Sequence, residues 1–84
     1  MDIFVVCDGM GGHVGGAVAS QTAVNSIISF FKKEFLPDPF SAIRNAILFA
    51  NQQIYKLSQE RSDLRGMGTT CVVLLKRDDD IYIG

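Results

Sequence analysis

Apolar and polar positions follow two different periods along this chain, and the changes of period divide it into elements. Ile3 to Cys7 is an unbroken apolar run, short and rich in β-branched residues, which predicts a strand buried on both faces. A glycine-rich turn over 9–16 follows and opens a helix expected from about Gly15 to Glu34, with Val24, Ile28, Phe31 and Phe35 recurring at helical spacing. Gly15, Gly16, Ala17, Ala19 and Ala23 make its first half narrow, which suits close approach to another backbone as well as plain small-residue packing. Lys32 and Lys33 fall where cations favour a helix end, and Pro37 is expected to stop the helix.

Asp38-Pro39 reads as an N-cap with proline at the first helical position, where a missing amide hydrogen costs nothing. Phe40, Ile43, Ile47, Ala50, Ile54 and Leu57 then recur three and four residues apart, predicting a second helix with one apolar stripe. Arg44, Asn51, Gln52, Lys56 and Gln59 form its solvated side. Ser62 to Gly68 is a polar connection, Thr69 to Leu75 a β-branched strand, Lys76 to Asp80 a charged hairpin turn, and Ile81 to Ile83 a further strand. That strand is barely begun at Gly84, so the sequence reads as cut within a larger fold.

Composition sharpens this reading. A chain of 84 residues with 48% hydrophobic positions is too apolar for a disordered segment and rather apolar for so small a core. Some of its apolar surface is therefore expected to meet further structure. The net charge of −1 and the scattered basic residues give no electrostatic footprint for nucleic acid. No apolar run approaches the roughly 20 residues that span a bilayer, and Asp2 stands where a signal sequence would carry positive charge, so no membrane association and a cytoplasmic location are expected by default. Cys7 and Cys71 sit in separate apolar strands, as small hydrophobes rather than as a disulfide or a zinc site.

Candidate chemistry concentrates at Asp8, the first polar residue after the first strand. A carboxylate at a buried strand end needs a hydrogen-bonding, ionic or metal partner, and a hard cation such as magnesium or manganese is one. A nucleotide phosphate is the competing ligand for a glycine-rich turn, but neither familiar pattern holds. From Gly9 the dinucleotide fingerprint meets Val14 in place of its third glycine, and from Gly11 the phosphate loop meets Ala17 and Val18 in place of its lysine and hydroxyl residue. Asp78-Asp79-Asp80 lacks the ligand spacing of a calcium loop and reads as a solvated turn.

The segment Asp8-Gly9-Met10-Gly11-Gly12-His13, followed downstream by Leu64-Arg65-Gly66-Met67-Gly68-Thr69-Thr70 and an apolar strand, resembles the metal-dependent protein phosphatases of PPM type, also called protein phosphatase 2C, in their bacterial branch. The resemblance implies an α+β fold: a fragment of a four-layer αββα sandwich with antiparallel sheets, seen here as strand, two helices and β-hairpin. Residues 1–84 would then be a partial catalytic domain lacking its N- and C-terminal parts. It implies metal-dependent hydrolysis of phosphoserine and phosphothreonine in proteins, at a centre of two manganese or magnesium ions. Asp8 matches the carboxylate that bridges the two ions in the family, and Gly9 the residue whose backbone carbonyl binds one of them. A phosphoprotein substrate is implied as partner, with a serine/threonine kinase or its targets as further candidates.

His13 is the chain's sole histidine. Packing or hydrogen bonding at the helix start, an outer role beside the metal ligands, and direct catalysis are open to it, in that order. Where eukaryotic members carry a histidine directly after the Asp-Gly pair, this chain has Met10, which cannot transfer a proton. No catalytic acid is assigned. The family's phosphate-binding arginine and its later Asp-Gly and Asp-Asn ligand pairs have no counterpart in the chain, so the fragment alone is expected to be inactive. A reading of a different class makes the chain a non-catalytic phosphatase-like module for binding another protein; a carboxylate at the end of the first strand counts against it.

Overall fold

The computed structural model describes residues 2–84, apart from the side chains of residues 12 and 13. In chain order the elements are β1 (Asp2–Met10), α1 (Gly12–Lys33), α2 (Pro39–Glu60), a single 3-10 turn at Ser62–Leu64, β2 (Gly68–Arg77) and β3 (Asp80–Ile83). The strands form one antiparallel sheet in the order β1-β2-β3, and β1 pairs with β2 without a bulge from Asp2↔Lys76 to Met10↔Gly68. This is an α+β arrangement of two layers, with α1 and α2 together on one face of the sheet.

The core lies between those layers. Ala23, Ile27 and Phe31 of α1, Ala42, Ile43, Ala46 and Ala50 of α2, and Val73 and Leu75 of β2 are buried together, with Ile3, Val5 and Cys7 of β1 packed against them. The opposite face of the sheet is open. Phe4, Val6, Val72, Ile81 and Ile83 are exposed there, Val6 to 70%. The expected burial of β1 on both faces is thus corrected: its residues alternate, odd positions toward the helices and even positions outward. An unbroken apolar run is what a strand with two covered faces requires, and these residues supply the cover for only one.

The helix boundaries also move. β1 continues to Met10 and α1 begins at Gly12, so the expected turn of 9–16 contracts to Gly11, whose φ of 117° lies in the left-handed region. The stripe of α1 is rotated from the expected Val24-Ile28-Phe31-Phe35 frame. Ile28 and Phe35 are exposed, while Ala19, Ala23, Ile27 and Phe31 face the core. Small side chains win because the helix axis lies close to the sheet, leaving no room for larger ones in its first half. Pro37 does not stop α1, which ends at Lys33; Glu34 is extended and its N–H donates to the Phe30 carbonyl at 2.9 Å.

α2 follows expectation more closely. The Asp38 carboxylate accepts from the Ser41 N–H at 3.2 Å and from the Ser41 hydroxyl at 2.7 Å, with Pro39 in the first turn. Hydrogen bonding from Ser41 holds the Asp38 carboxyl below the usual carboxylate range. Ile43 and Ala50 are buried as the stripe requires, whereas Phe40 lies exposed with its ring edge-on to Tyr82 at 5.4 Å. Arg77, expected in a solvated turn, instead ends β2 and donates to the Pro37 and Leu36 carbonyls, each at 2.9 Å, tying the link between the helices to the sheet. The hairpin itself is the two-residue turn Asp78-Asp79, with Asp78 at φ 54°.

Residues Val14–Lys33 of α1 are long and apolar enough to cross a bilayer by length and composition, contrary to the expectation from the sequence. In the fold this helix lies on the sheet, with Ala19 and Ile27 fully buried.

Candidate metal site at the end of the first strand

The pleat of β1 sets the chemistry of its C-terminal end. Asp8, at an even position, projects onto the open face of the sheet and is exposed. Thr70 lies directly opposite on β2 and its hydroxyl donates to the Asp8 carbonyl at 3.3 Å. Met10 is the next residue on the same face. Gly9, at an odd position, turns toward α1.

The hydrogen-bond ladder fixes where the Gly9 carbonyl points. Val73 exchanges both of its backbone bonds with Gly84, at 2.7 and 2.9 Å, so its polar groups face away from β1. In an antiparallel ladder that orientation alternates along a strand. Val72 and Thr70 therefore face β1, and their partners Val6 and Asp8 face β2 in return. Cys7 and Gly9 aim their carbonyls at the outer edge of β1, which pairs with no strand among the described residues. Asp8 thus offers a carboxylate on the open face, and the next residue a carbonyl at the open edge.

Glycine at position 9 is a packing requirement. A Cβ there would collide with the Gly16 carbonyl oxygen and stand 2.5 Å from its carbonyl carbon. Gly16 answers in kind, since a Cβ on it would lie 3.2 Å from the Gly9 carbonyl oxygen. The two glycines let the first turns of α1 lie against the backbone of β1, and they keep the flank of the Gly9 carbonyl clear. Met67 closes the other side. A Cβ on Gly11 would come within 2.8 Å of its Cα, and Met67 is buried with Leu64 and Ala19 in a second small core. The two sequence segments that carry the resemblance, 8–13 and 64–70, therefore pack on each other.

Of the residues singled out from the sequence, Asp8 and Gly9 come together at one strand end. The side chain of His13 lies outside the described residues. Gly16, Met67 and Thr70 join the site in the fold: Gly16 comes from the small-residue stretch, while Met67 and Thr70 lie in the second segment of the resemblance, where no local rule assigns them to the strand end. Among the described residues no three His, Cys, Asp or Glu side chains gather as a metal site. The donors present are hard oxygens, the right kind for magnesium or manganese, but they are two where such an ion takes about six.

Beside Asp8 the two cysteines meet. Cys7 and Cys71 are directly opposed across β1 and β2, both free, with their sulfurs 3.4 Å apart. Burial first, and then the neighbouring thiol, push the Cys71 thiol up to about 12.

A protein family profile described as protein phosphatase 2C matches residues 1–84. The chain belongs to this family. Its relatives include the serine/threonine phosphatase stp of Listeria welshimeri, 34% identical over an alignment of 85 positions that covers 96% of this chain and 34% of the relative. The serine/threonine protein phosphatase PstP of Mycobacterium tuberculosis is 33% identical over 73 residues, 87% of this chain and 14% of that one. Among solved structures, the catalytic domain of PstP in complex with two manganese ions superposes with a TM-score of 0.84 at 30% identity, covering 96% of this chain and 35% of that domain. The chain thus spans about a third of the stp relative and of the PstP catalytic domain, and adopts that part of the protein phosphatase 2C fold as a mixed α+β unit.

Proposed function

We propose that this chain supplies the first-strand part of the metal centre of a protein serine/threonine phosphatase, which hydrolyses phosphoserine and phosphothreonine in protein substrates. The observation that carries the reading is the end of β1. Asp8 is an exposed carboxylate at the end of the open sheet face, and Gly9 beside it turns its carbonyl to an open edge, within a chain matched to the family along its whole length.

Asp8 and Gly9 would hold divalent metal, manganese or magnesium. When bound, such ions would lower the pKa of a nearby water and offset charge on a phosphoryl group. The chain's own residues do the placing. The β1–β2 ladder fixes the Asp8 backbone through Thr70, the Gly9–Gly16 contact fixes the height of its carbonyl over α1, and Met67 holds the Gly11 turn between strand and helix. Met10 offers no proton, so the acid for the departing serine or threonine oxygen comes from outside this side chain. Substrate binding, any kinase partner and the remaining metal ligands belong to the longer protein in this proposal. Its expected compartment is the cytoplasm. A pure binding module has no use for a carboxylate at this strand end.

The test compares the 84-residue chain with a version extended at both ends, on an aryl phosphate and a phosphoserine peptide with and without manganese. The extended protein should turn over both substrates only with metal, and the short chain neither. Metal-dependent turnover by the short chain would refute the division of the site, and an inert extended protein would refute the phosphatase reading.

A further inference from the structure

We propose that Cys7 and Cys71 form a cross-strand disulfide when the protein meets a peroxide oxidant, making the β1–β2 ladder a reversible redox modification site. Three features of the fold carry this. The two residues are register partners, separated by 64 positions in sequence but opposed in the ladder, with sulfurs 3.4 Å apart. The ladder makes them a non-hydrogen-bonded pair, because Val73 directs its backbone groups to Gly84 and Cys71 shares its parity. In such pairs the Cα atoms lie about 4.5 Å apart and the side chains stand closest, within the range a disulfide spans. Finally, Cys71 lines a cleft of about 90 Å³ between the helices and the sheet, beside Ile27, Ala50 and Thr69. Such a space admits a molecule the size of water or hydrogen peroxide.

The chemistry balances with the peroxide as sole co-reactant. One thiol loses its proton to solvent and the resulting thiolate attacks a peroxide oxygen; the O–O bond breaks, and with that proton returned a sulfenic acid and one water form. The sulfur of the second cysteine attacks the sulfenic sulfur, expelling the second water. Two electrons pass from the sulfur pair to the peroxide, and a thiol reductant reverses the change. A second cysteine held in van der Waals contact favours this route over further oxidation, which needs a sulfenic acid that waits. The bond would clamp the strand that carries Asp8, one residue away. The inference rests on the register of β1 and β2 and not on the phosphatase reading, so each can fail alone.

The 84-residue chain is treated with hydrogen peroxide, quenched with an alkylating agent and weighed intact, in buffer and in concentrated urea. The expected product in buffer is a monomer lighter by two hydrogens that takes up no alkyl group and regains both thiols with dithiothreitol. Its formation should be at least about tenfold faster than in urea, where the chain must close a long loop to bring the sulfurs together. Cys7→Ser and Cys71→Ser should each abolish the product and leave a single oxidised thiol. The oxidised chain should unfold at higher urea than the reduced one, as a cross-link that fits the native ladder requires. Intermolecular dimers, sulfinic acid at either cysteine, equal rates in buffer and urea, or an oxidised chain less resistant to urea would each overturn the proposal.

Discussion

Replacing Gly9 by alanine should be the most damaging single-methyl change in the chain. The added Cβ would stand 2.5 Å from the Gly16 carbonyl carbon and 2.8 Å from its Cα, and would collide with its carbonyl oxygen. Carbon atoms rest at about 3.5–4.0 Å, so α1 must lift from β1 by roughly 1 Å. The obstacle is helical backbone, which has no rotamer to yield. Overpacking of a rigid contact costs about 1–3 kcal/mol, and a backbone-to-backbone clash belongs at or above the upper end. Two further glycines calibrate the effect. Gly16→Ala meets Gly9 at 3.1–3.2 Å and the Met10 nitrogen at 3.3 Å and should cost less, while Gly66→Ala meets nothing within 4 Å and pays for its φ of 79° alone, about 1 kcal/mol. Urea unfolding of the three variants, followed by far-ultraviolet circular dichroism, should rank them Gly9→Ala, then Gly16→Ala, then Gly66→Ala. A Gly9→Ala midpoint within about 0.5 kcal/mol of the parent, the ordinary range for surface changes, would refute the close approach of α1 to β1.

Asp8→Asn should leave the unfolding midpoint nearly unchanged, because the side chain is exposed, yet lower metal-dependent activity of the extended protein by more than about a hundredfold, the upper end of what loss of an outer metal partner costs. Asp38→Ala should weaken the start of α2 and alter its acid response. Ser41 depresses the Asp38 pKa in the folded chain, so this stabilisation is present above the unfolded carboxylate value and is lost as pH falls through the folded one. The parent should thus lose helix stability from about pH 4 downward, and Asp38→Ala should lack that component in a pH series of thermal melts. Val6→Thr, at an exposed position of the open face, should shift stability by no more than about 0.5 kcal/mol in the 84-residue chain, but by about 1–3 kcal/mol in the extended protein if a second sheet covers that face.

The parts legible in the sequence are those where a local rule and the tertiary packing agree. Asp38-Pro39 announces the start of α2 because capping is decided within four residues. The stripe of α1 differs from its periodicity because hydrophobicity ranks Ile28 and Phe35 above Ala19 and Ala23, whereas the fold ranks them by how near the helix lies to the sheet. That distance is set by Gly9 and Gly16, and a periodicity taken along the helix alone carries no information about a strand on the other side. Arg77 looks solvated from its neighbours in sequence for a related reason: its partners are carbonyls about forty residues away. The site shows the same division. Asp8 and Gly9 are adjacent and carry a recognisable segment, while Thr70 reaches Asp8 through a strand register and Met67 reaches Gly11 from the connection before β2, neither of which composition encodes.

The strand end also explains why one carboxylate and one glycine must be neighbours here in this order. A strand sends successive side chains to opposite faces, so the residue that projects a carboxylate outward is followed by one that projects inward. Inward lies the first part of α1, close enough that Gly9 admits no side chain. The same step of the ladder turns the backbone of Gly9 from β2 to the open edge. One residue of advance along β1 therefore converts a side-chain oxygen on the sheet face into a main-chain oxygen at its edge. Shifting the register by one would bury Asp8 against α1 and expose Gly9, destroying the core contact and the site together. The half-buried odd positions of β1 and the exposed Asp8 are thus held in place by the same pairing, from Ile3↔Leu75 to Asp8↔Thr70.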